Sequence, residues 1–265
     1  MRKAFIFVIA TGFFSIQSVG QIISVGIKGG VSIPNLRPSG ENNPLNTGYQ
    51  SSLGPNGALF GEYAFSNLLS VELSLEFSSQ GGQKNGKQAL PVDPSSFPPG
   101  QAPQYVWANF NAEAKLNYLM IPLLVKGNFA LGSQSRFRLY ADVGPFVGFL
   151  LSAKTVTKGT SNVYLDEGET QPILPYPVSF DTTADIKDQL HPTNFGIEAN
   201  IGLSYSFNQN TLFLEGGGNY GFVDIQKNKA DGQNKAGAAT IRIGYAYTLR
   251  SRNPNSKSVK DPKVF

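Results

Sequence analysis

The clearest pattern in the chain is a strict alternation of apolar and polar residues between Leu69 and Ser78. A period of two is typical of a β-strand with one apolar and one polar face. Similar alternation recurs along the chain and predicts eight strands, at residues 23–31, 58–65, 69–80, 118–129, 137–149, 194–207, 212–222 and 239–249. We interpret each as long enough to supply the about 9 to 11 residues of a tilted membrane strand.

The connections between these strands alternate in length. Three are short, at residues 66–68, 130–135 and 208–210, and four are long, at residues 34–54, 81–112, 152–192 and 225–237. Such alternation places all long loops at one end of a closed barrel and all short turns at the other. We therefore predict an all-β fold, an eight-stranded antiparallel up-and-down transmembrane β-barrel over residues 21–249. Both termini are then periplasmic and the long loops extracellular.

Aromatic residues on the apolar faces provide a second indication of a membrane barrel, because such barrels carry aromatic girdles at both water interfaces. At the short-turn end the apolar positions include Tyr63, Phe65, Phe129, Phe137, Tyr205, Phe207, Tyr245 and Tyr247. At the long-loop end they include Phe77, Phe149, Phe195, Tyr220 and Phe222. Both girdles follow from the predicted register without adjustment.

The polar faces of the strands carry charges of both signs. In a water-soluble barrel of the lipocalin type this face would lie outside, and periodicity alone does not distinguish the two folds. The girdles, the loop asymmetry and the N-terminal segment favour the membrane barrel, whose polar face lines the lumen. We predict a lumen charge network comprising Glu62, Glu72, Glu76, Lys126, Arg138, Asp142, Glu198, Glu215 and Arg242.

The direction of each strand predicts the height of these charges in the barrel. Glu72, Lys126 and Arg138 are expected at one level in the half near the short turns. Glu62 and Glu215 are expected in the same half, near the short-turn ends of their strands, while Arg242 and Glu198 are expected higher. An eight-stranded barrel is just wide enough to be filled by its own side chains. We therefore expect opposite charges to meet across the lumen and close it to water and ions.

The two ends of the chain differ from its middle. A charged start at Arg2 and Lys3, a short apolar run and the sequence Ser18-Val19-Gly20 predict a signal peptide over residues 1–20, cleaved before Gln21. The apolar run is shorter than the about 20 residues of a spanning helix. Residues 250–265 form a polar, basic tail, which we place in the periplasm.

Composition narrows the function classes further. Cleavage would lower the formal net charge from +4 to +2, because two cations leave with the signal peptide. A nearly neutral protein is not typical of a nucleic-acid binder. The chain has no cysteine and one histidine, which excludes disulfides, thiolate chemistry and an N/S-rich metal centre. We predict no cofactor and no metal.

Three local features of the sequence are candidate chemical sites. His191, with Asp188 or Thr193, lies where a rim enzyme could hold its base, but a His-Pro-Thr loop is more typical of a plain connection. Residues 216–221 match GxGxxG, yet no helix start follows, so we interpret the match as accidental. A solvated loop is the simpler interpretation of the acids at 166, 167 and 169, which could otherwise bind Ca²⁺.

Residues 118–126, Tyr-Leu-Met-Ile-Pro-Leu-Leu-Val-Lys, resemble the hallmark strand of the PorT-like outer-membrane β-barrel family of Bacteroidetes. Residues 195–202 and 243–247 are similar to the closing strands of that family. The resemblance implies an outer-membrane location and, for the founding member, a role in a secretion and gliding apparatus. The chain departs from the pattern after Leu249, where a polar tail replaces the usual terminal aromatic residue.

Together these features predict a non-enzymatic barrel that acts as a scaffold or binding platform. Its partners would be outer-membrane lipid and proteins of an envelope or secretion complex, bound through the long loops. Proline-rich segments at residues 91–103 and 172–177 are expected to be extended and exposed there. The alternatives are a narrow channel and a rim enzyme that acts on lipid or peptide through His191.

Overall fold

The computed structural model describes residues 22–40, 44–133 and 135–250. The predicted signal peptide lies outside the described residues, and so does the predicted tail beyond position 250. None of the helices in the described residues is long and apolar enough to cross a membrane.

Eight long strands form the fold. They are β1 Ile22–Pro38, β2 Gly54–Ala64, β3 Leu69–Pro91, β4 Tyr105–Ala130, β5 Phe137–Lys158, β6 Thr193–Phe207, β7 Asn210–Asp224 and β8 Asn234–Arg250. Each pairs antiparallel with its neighbours in the chain, and β1 pairs with β8. The ring is therefore closed, and the predicted eight-stranded up-and-down barrel is confirmed.

The alternation in the sequence separates the two faces of the wall. Leu73 and Ile243 point outward and are 54% and 67% exposed, whereas Glu72 and Ser74 point inward and are buried. Successive side chains of a strand point to opposite faces, so one register places the apolar residues of β3 between Leu69 and Phe77 outside. An outer surface this apolar matches a hydrocarbon solvent rather than water.

Aromatic side chains cluster at both ends of the outer surface. At the short-turn end Tyr63 contacts Phe65 and Phe137 contacts Tyr205, each with ring centroids 4.9 Å apart. At the long-loop end the Phe222 ring lies 6.0 Å from the ring of Phe195. The predicted girdle residues thus contact neighbouring rings, within one segment or across strands, in edge-to-face or tilted geometry.

The long connections differ from the prediction, because much of what was expected to be loop is strand. Between β3 and β4, residues 81–112 were expected to be loop, but only residues 92–104 lie outside the two strands. β1, β5 and β8 also extend beyond their predicted ends at the long-loop side. The extended parts of these strands lie beyond the apolar band. Neither of their faces needs to be apolar there, so the alternation of apolar and polar residues is lost.

One glycine makes this extension possible. Gly81 has a φ of +124°, and a Cβ there would meet the Ala114 carbonyl oxygen at 2.0 Å. Only glycine fits this close approach of two backbones. The β3–β4 hairpin therefore continues past the apolar band through position 81.

The predicted loop of residues 152–192 is largely folded onto the extended hairpins. Val163–Tyr164 pairs with β4 and Thr182–Asp185 pairs with β5, while Thr160–Ser161 pairs with Val178–Ser179. The rings of Phe110 and Phe180 stack with centroids 4.4 Å apart. The long-loop end is thus a structured surface.

Candidate functional site

Charged residues point into the lumen from all eight strands, as the alternation of the wall requires. We call them the lumen charge cluster. Its members are Lys28 on β1, Glu62 on β2, Glu72 and Glu76 on β3, Lys126 on β4, Asp142 on β5, Glu198 on β6, Glu215 on β7 and Arg242 on β8.

The part of the cluster nearer the short turns is organised around Glu72. Its carboxylate lies 2.8 Å from Lys28 Nζ and 2.5 Å from Lys126 Nζ. Lys126 Nζ also lies 3.0 Å from Glu62 Oε2, and the Ser74 hydroxyl donates to Glu72 at 2.9 Å. Two lysines from different strands are thereby joined through one buried carboxylate.

The other part is organised around Arg242, which is 1% exposed. Its Nη1 lies 2.7 Å from Glu76 Oε2, and its Nη2 lies 2.9 Å from Glu198 Oε1. Its Nε is 2.8 Å from Glu215 Oε1, although the N–H is not aligned for a hydrogen bond. One guanidinium therefore holds carboxylates from three strands, as its planar set of donors allows.

Asn200 supports the guanidinium from β6. Its Oδ1 accepts from Arg242 Nη2 at 2.7 Å, and its Nδ2 donates to Asp142 and Glu198 at 2.8 and 3.1 Å. Gly217 makes room for this side chain, because a Cβ there would meet Asn200 Oδ1 at 2.0 Å. A glycine inside the segment that matches GxGxxG thus has a packing role, and the whole segment lies within the strand β7.

Aromatic residues pack against the short-turn side of the cluster. The ring of Phe213 makes edge contacts with Phe60 and Tyr140 at 5.8 and 6.2 Å between centroids. Lys126 Nζ lies 4.9 Å from the centre of the Tyr140 ring, whose hydroxyl donates to Glu215 at 3.0 Å. These contacts hold the lysine by cation–π attraction at the inner end of the open mouth.

An apolar layer fills the lumen on the long-loop side of the cluster. It includes Leu116, Tyr118, Met120, Phe146 and Leu150, all of them buried. The space between this layer and the neighbouring amides measures only about 10 Å³, about the size of one water. Side chains therefore fill the lumen at the level of the charge cluster and also on its long-loop side.

The alternation in the sequence does not predict this apolar layer. It predicts a polar lumen face on every strand, whereas β4 and β5 carry apolar residues inward over this stretch. The available signal was the run from Tyr118 to Val125, in which residues of both parities are apolar except Pro122. Such a run indicates a strand that is apolar on both faces.

The structure places Arg138 differently from the prediction. In the β4–β5 register Lys126 lies opposite Asp142, and Arg138 lies opposite Ala130 at the turn. Arg138 Nη1 donates to the Asn67 carbonyl oxygen at 3.0 Å, at the mouth of the barrel. Arg138 therefore lies outside the cluster, because a height estimated from one strand ignores the register with the next.

Two further positions differ from the predicted network. Arg242 was expected above Glu215, but the two residues lie directly opposite each other on β8 and β7. Lys28 is not a member of the predicted network, but in the structure it bridges the two parts of the cluster. Its Nζ lies 2.8 Å from Glu72 and 3.4 Å from Glu215.

In the part of the barrel that the structure describes, the lumen opens to solvent at the short-turn end. A cavity of about 440 Å³ there is lined by residues that include Arg136, Arg138, Asn128 and Ser206. It ends at Lys126 and at the aromatic rings packed against it. A small solute could enter this mouth, but the charge cluster and the apolar layer lie between it and the other end.

The other predicted chemical positions are not assembled into sites. His191 is exposed, and the described residues give its imidazole no hydrogen bond. Asp166 accepts hydrogen bonds from the backbone of Thr170 and Gln171 and so closes its own loop. Within residues 22–40, 44–133 and 135–250, no three His, Cys, Asp or Glu side chains are grouped to hold a metal ion.

Comparison with known proteins assigns the chain to a protein family. A family model described as the outer membrane protein beta-barrel domain matches residues 17–227, which is more than half of the chain. No curated protein sequence matches.

Solved outer-membrane barrels are similar in fold at low identity. The attachment invasion locus protein Ail of Yersinia pestis is 14% identical, with 87% of this chain and 100% of that chain covered and a TM-score of 0.34. Neisserial surface protein A is 11% identical over 87% and 98% of the two chains, with a TM-score of 0.37. OprG of Pseudomonas aeruginosa is 13% identical over 88% and 97%, with a TM-score of 0.37.

The family match agrees with the closed eight-stranded ring, its apolar outer face and its aromatic girdles. The chain is an outer-membrane protein, and it belongs to the outer membrane protein β-barrel domain family.

Proposed function

We propose that this protein is a non-conducting, non-enzymatic scaffold whose folded long-loop end is a binding platform on the cell surface. The observation that carries the proposal is Arg242, which holds three carboxylates across the lumen while being 1% exposed. A channel of this width would need a continuous polar path. The lumen instead contains ion-paired side chains beneath an apolar layer, a filled interior of the kind that eight strands permit.

The long-loop end provides the surface for binding. It presents exposed apolar residues on a folded framework, with Leu53 74% exposed and Tyr176 59% exposed. Isolated exposed apolar residues are ordinary, but several on one structured end are typical of a contact surface. We place this end outside the cell and both termini in the periplasm, since short turns lie at the periplasmic side of known barrels of this kind.

The resemblance of residues 118–126 to the PorT-like family supports a more specific version of this proposal. In that version the partner is a protein of an envelope or secretion complex, and membrane lipid surrounds the wall. An enzymatic role through His191 has less support, because no carboxylate of the described residues orients its imidazole.

Affinity purification from cross-linked native membranes tests the platform. A tagged protein should retain a stoichiometric protein partner, and Tyr176→Ser with Leu53→Ser should lose it. A matched control is Leu73→Ser, which changes an apolar residue of the wall and should retain the partner. If the loop variants retain the same proteins as the unmodified chain, or if no stoichiometric partner is captured, the long-loop end is not the platform.

A further inference from the structure

Two cations lie directly opposite each other on the outer face of the barrel at its long-loop end. Arg37 on β1 and Lys235 on β8 are register partners, and both side chains point outward. Like charges at such cross-strand positions repel, since their Cβ atoms are only about 5 Å apart. The presence of two repelling cations at register positions therefore requires an explanation.

The described residues do not neutralise this pair. Neither cation has a carboxylate oxygen of the described chain within 4.0 Å, the distance at which the ion pairs of the lumen form. Asp224 lies opposite Lys235, but its carboxylate accepts from the hydroxyl of Ser39 and from the Gln233 amide instead. Within the described residues neither cation forms an ion pair, so both can bind an anion from outside the chain.

A second cross-strand pair of cations provides a contrast. Lys115 and Lys154 are register partners on β4 and β5 at the same end of the barrel. Lys115 Nζ lies 3.2 Å from Glu113, whereas Lys154, like Lys235, lies opposite an acid with which it forms no ion pair. One cation of this pair is therefore neutralised within the protein, while neither Arg37 nor Lys235 has an ion pair in the described residues.

The position of Arg37 relates the pair to the membrane surface. Its guanidinium carbon lies 6.0 Å from the centre of the Tyr220 ring. Tyr220 belongs to the girdle at the long-loop end and also contacts Phe222. Girdle aromatics lie at the level of the lipid headgroups, so the two cations lie where lipid phosphates lie.

Below the cations the wall has a depression of about 460 Å³. Its floor is a row of small outward residues that are register partners, Ala199, Gly218 and Ala239. Asn35 lines the same depression, and its side-chain oxygen is buried without a hydrogen-bond partner in the described residues. The depression runs from the headgroup level toward the apolar band, as an acyl chain does.

We propose that Arg37 and Lys235 bind the phosphate of an anionic membrane lipid in the leaflet at the long-loop end, with one acyl chain in the depression beneath. The charge complementarity selects the headgroup, because guanidinium and ammonium groups both bind phosphate oxygens. The small floor residues let the chain lie against the wall below the girdle. Nothing in this proposal depends on which side of the membrane that leaflet faces.

Native mass spectrometry of the full chain in neutral detergent tests the proposal, with phosphatidylglycerol and phosphatidylcholine as probes. The unmodified protein should retain phosphatidylglycerol preferentially. Arg37→Gln with Lys235→Gln should weaken that retention by roughly tenfold or more, since each cation near a headgroup contributes to the affinity. Ala239→Leu, which fills the depression and keeps both cations, should weaken it to a smaller extent.

The control is Lys115→Gln with Lys154→Gln, which removes the same charge from the same end and should leave retention unchanged. Equal losses in the two double variants would mean diffuse attraction and would overturn the site, as would equal retention by the unmodified protein and the Arg37/Lys235 variant. Inorganic phosphate at the lipid concentration should not displace the lipid. If it does, the site binds soluble phosphate and the lipid assignment is wrong.

A stability measurement tests the proposal independently if a variant folds poorly in detergent. Removing one of two repelling cations should leave the protein at least as stable in phosphatidylcholine vesicles. In phosphatidylglycerol vesicles the unmodified protein should gain stability in urea, whereas Arg37→Gln with Lys235→Gln should not. The same gain in both proteins would overturn the proposal.

Discussion

Glu215 on β7 and Arg242 on β8 lie directly opposite each other, and Glu215 Oε1 is 2.8 Å from Arg242 Nε inside the lumen. The same guanidinium reaches Glu76 and Glu198, so strands on opposite sides of the ring are held by one side chain. Removing one partner of such a buried group leaves the remaining charges uncompensated. The lumen is thus both a structural element of the barrel and its seal.

Lys126 and Arg138 provide a matched test of the cluster. Lys126→Met should lower the free energy of unfolding by about 3 to 5 kcal/mol, because it removes the cation that pairs with Glu62 and one of the two lysines that pair with the buried Glu72. Arg138→Met should change it by less than about 1 kcal/mol, because Arg138 lies at the mouth. Urea unfolding in lipid vesicles measures both, and equal losses would contradict the position assigned to Arg138.

The outward face is tested by Leu73→Arg. Leu73 lies on the apolar outer face of β3, so the substitution should cost about 2 to 4 kcal/mol near the bilayer midplane. Leu53→Arg is the control, because Leu53 is exposed in the first long connection and should change stability by less than about 0.5 kcal/mol. Folding titrations into vesicles measure both, and similar costs would mean that β3 does not face lipid.

The burial of Lys84 predicts that local stability depends on pH at the long-loop end, beyond the apolar band. It lies 4.3 Å from the centre of the Tyr49 ring, and burial lowers its pKa from 10.5 to about 8. Between those two values the unfolded chain binds more protons than the folded one, so local stability should rise with pH there.

Carbon NMR of the methylated lysines should show Lys84 titrating near pH 8. Lys84→Met should abolish the rise in protease resistance of residues 44–50 at alkaline pH. A Lys84 resonance that titrates near the ordinary value of 10.5 would contradict its burial beside Tyr49.

His191 tests the non-enzymatic interpretation. Its side chain is exposed and is not oriented by the described residues, so His191→Ala should leave both stability and envelope lipid composition unchanged. The measurement is mass spectrometry of envelope lipids and secreted proteins from cells that express either form. Loss of a specific lipid trimming or protein cleavage in the variant would show that the barrel is an enzyme.

The strands and their facing were predictable because each follows from local alternation. Leu73 and Glu72 are neighbours in the chain, and a period of two alone places them on opposite faces. The extended hairpins were not predictable in this way. Above the apolar band both faces of a strand meet water or folded loop, so residues near Gly81 and Gly86 carry no periodic signal.

The membership of the charge cluster was largely predictable, but the partners within it were not. Which residues point inward depends on one strand, whereas which residues meet depends on the register between strands. That register places Arg138 at the turn and Lys126 beside Asp142. It also brings Lys28 between Glu72 and Glu215, a contact between three strands that no single segment encodes.

The central claim is that the lumen is closed, and single-channel recording in planar bilayers tests it most directly. The purified protein should insert without stable conductance steps. Arg242→Ala should produce intermittent cation-selective openings, because Glu76, Glu198 and Glu215 then repel one another across the lumen. Regular conductance from the unmodified protein, unchanged by Arg242→Ala, would contradict the account and show that the barrel is a channel.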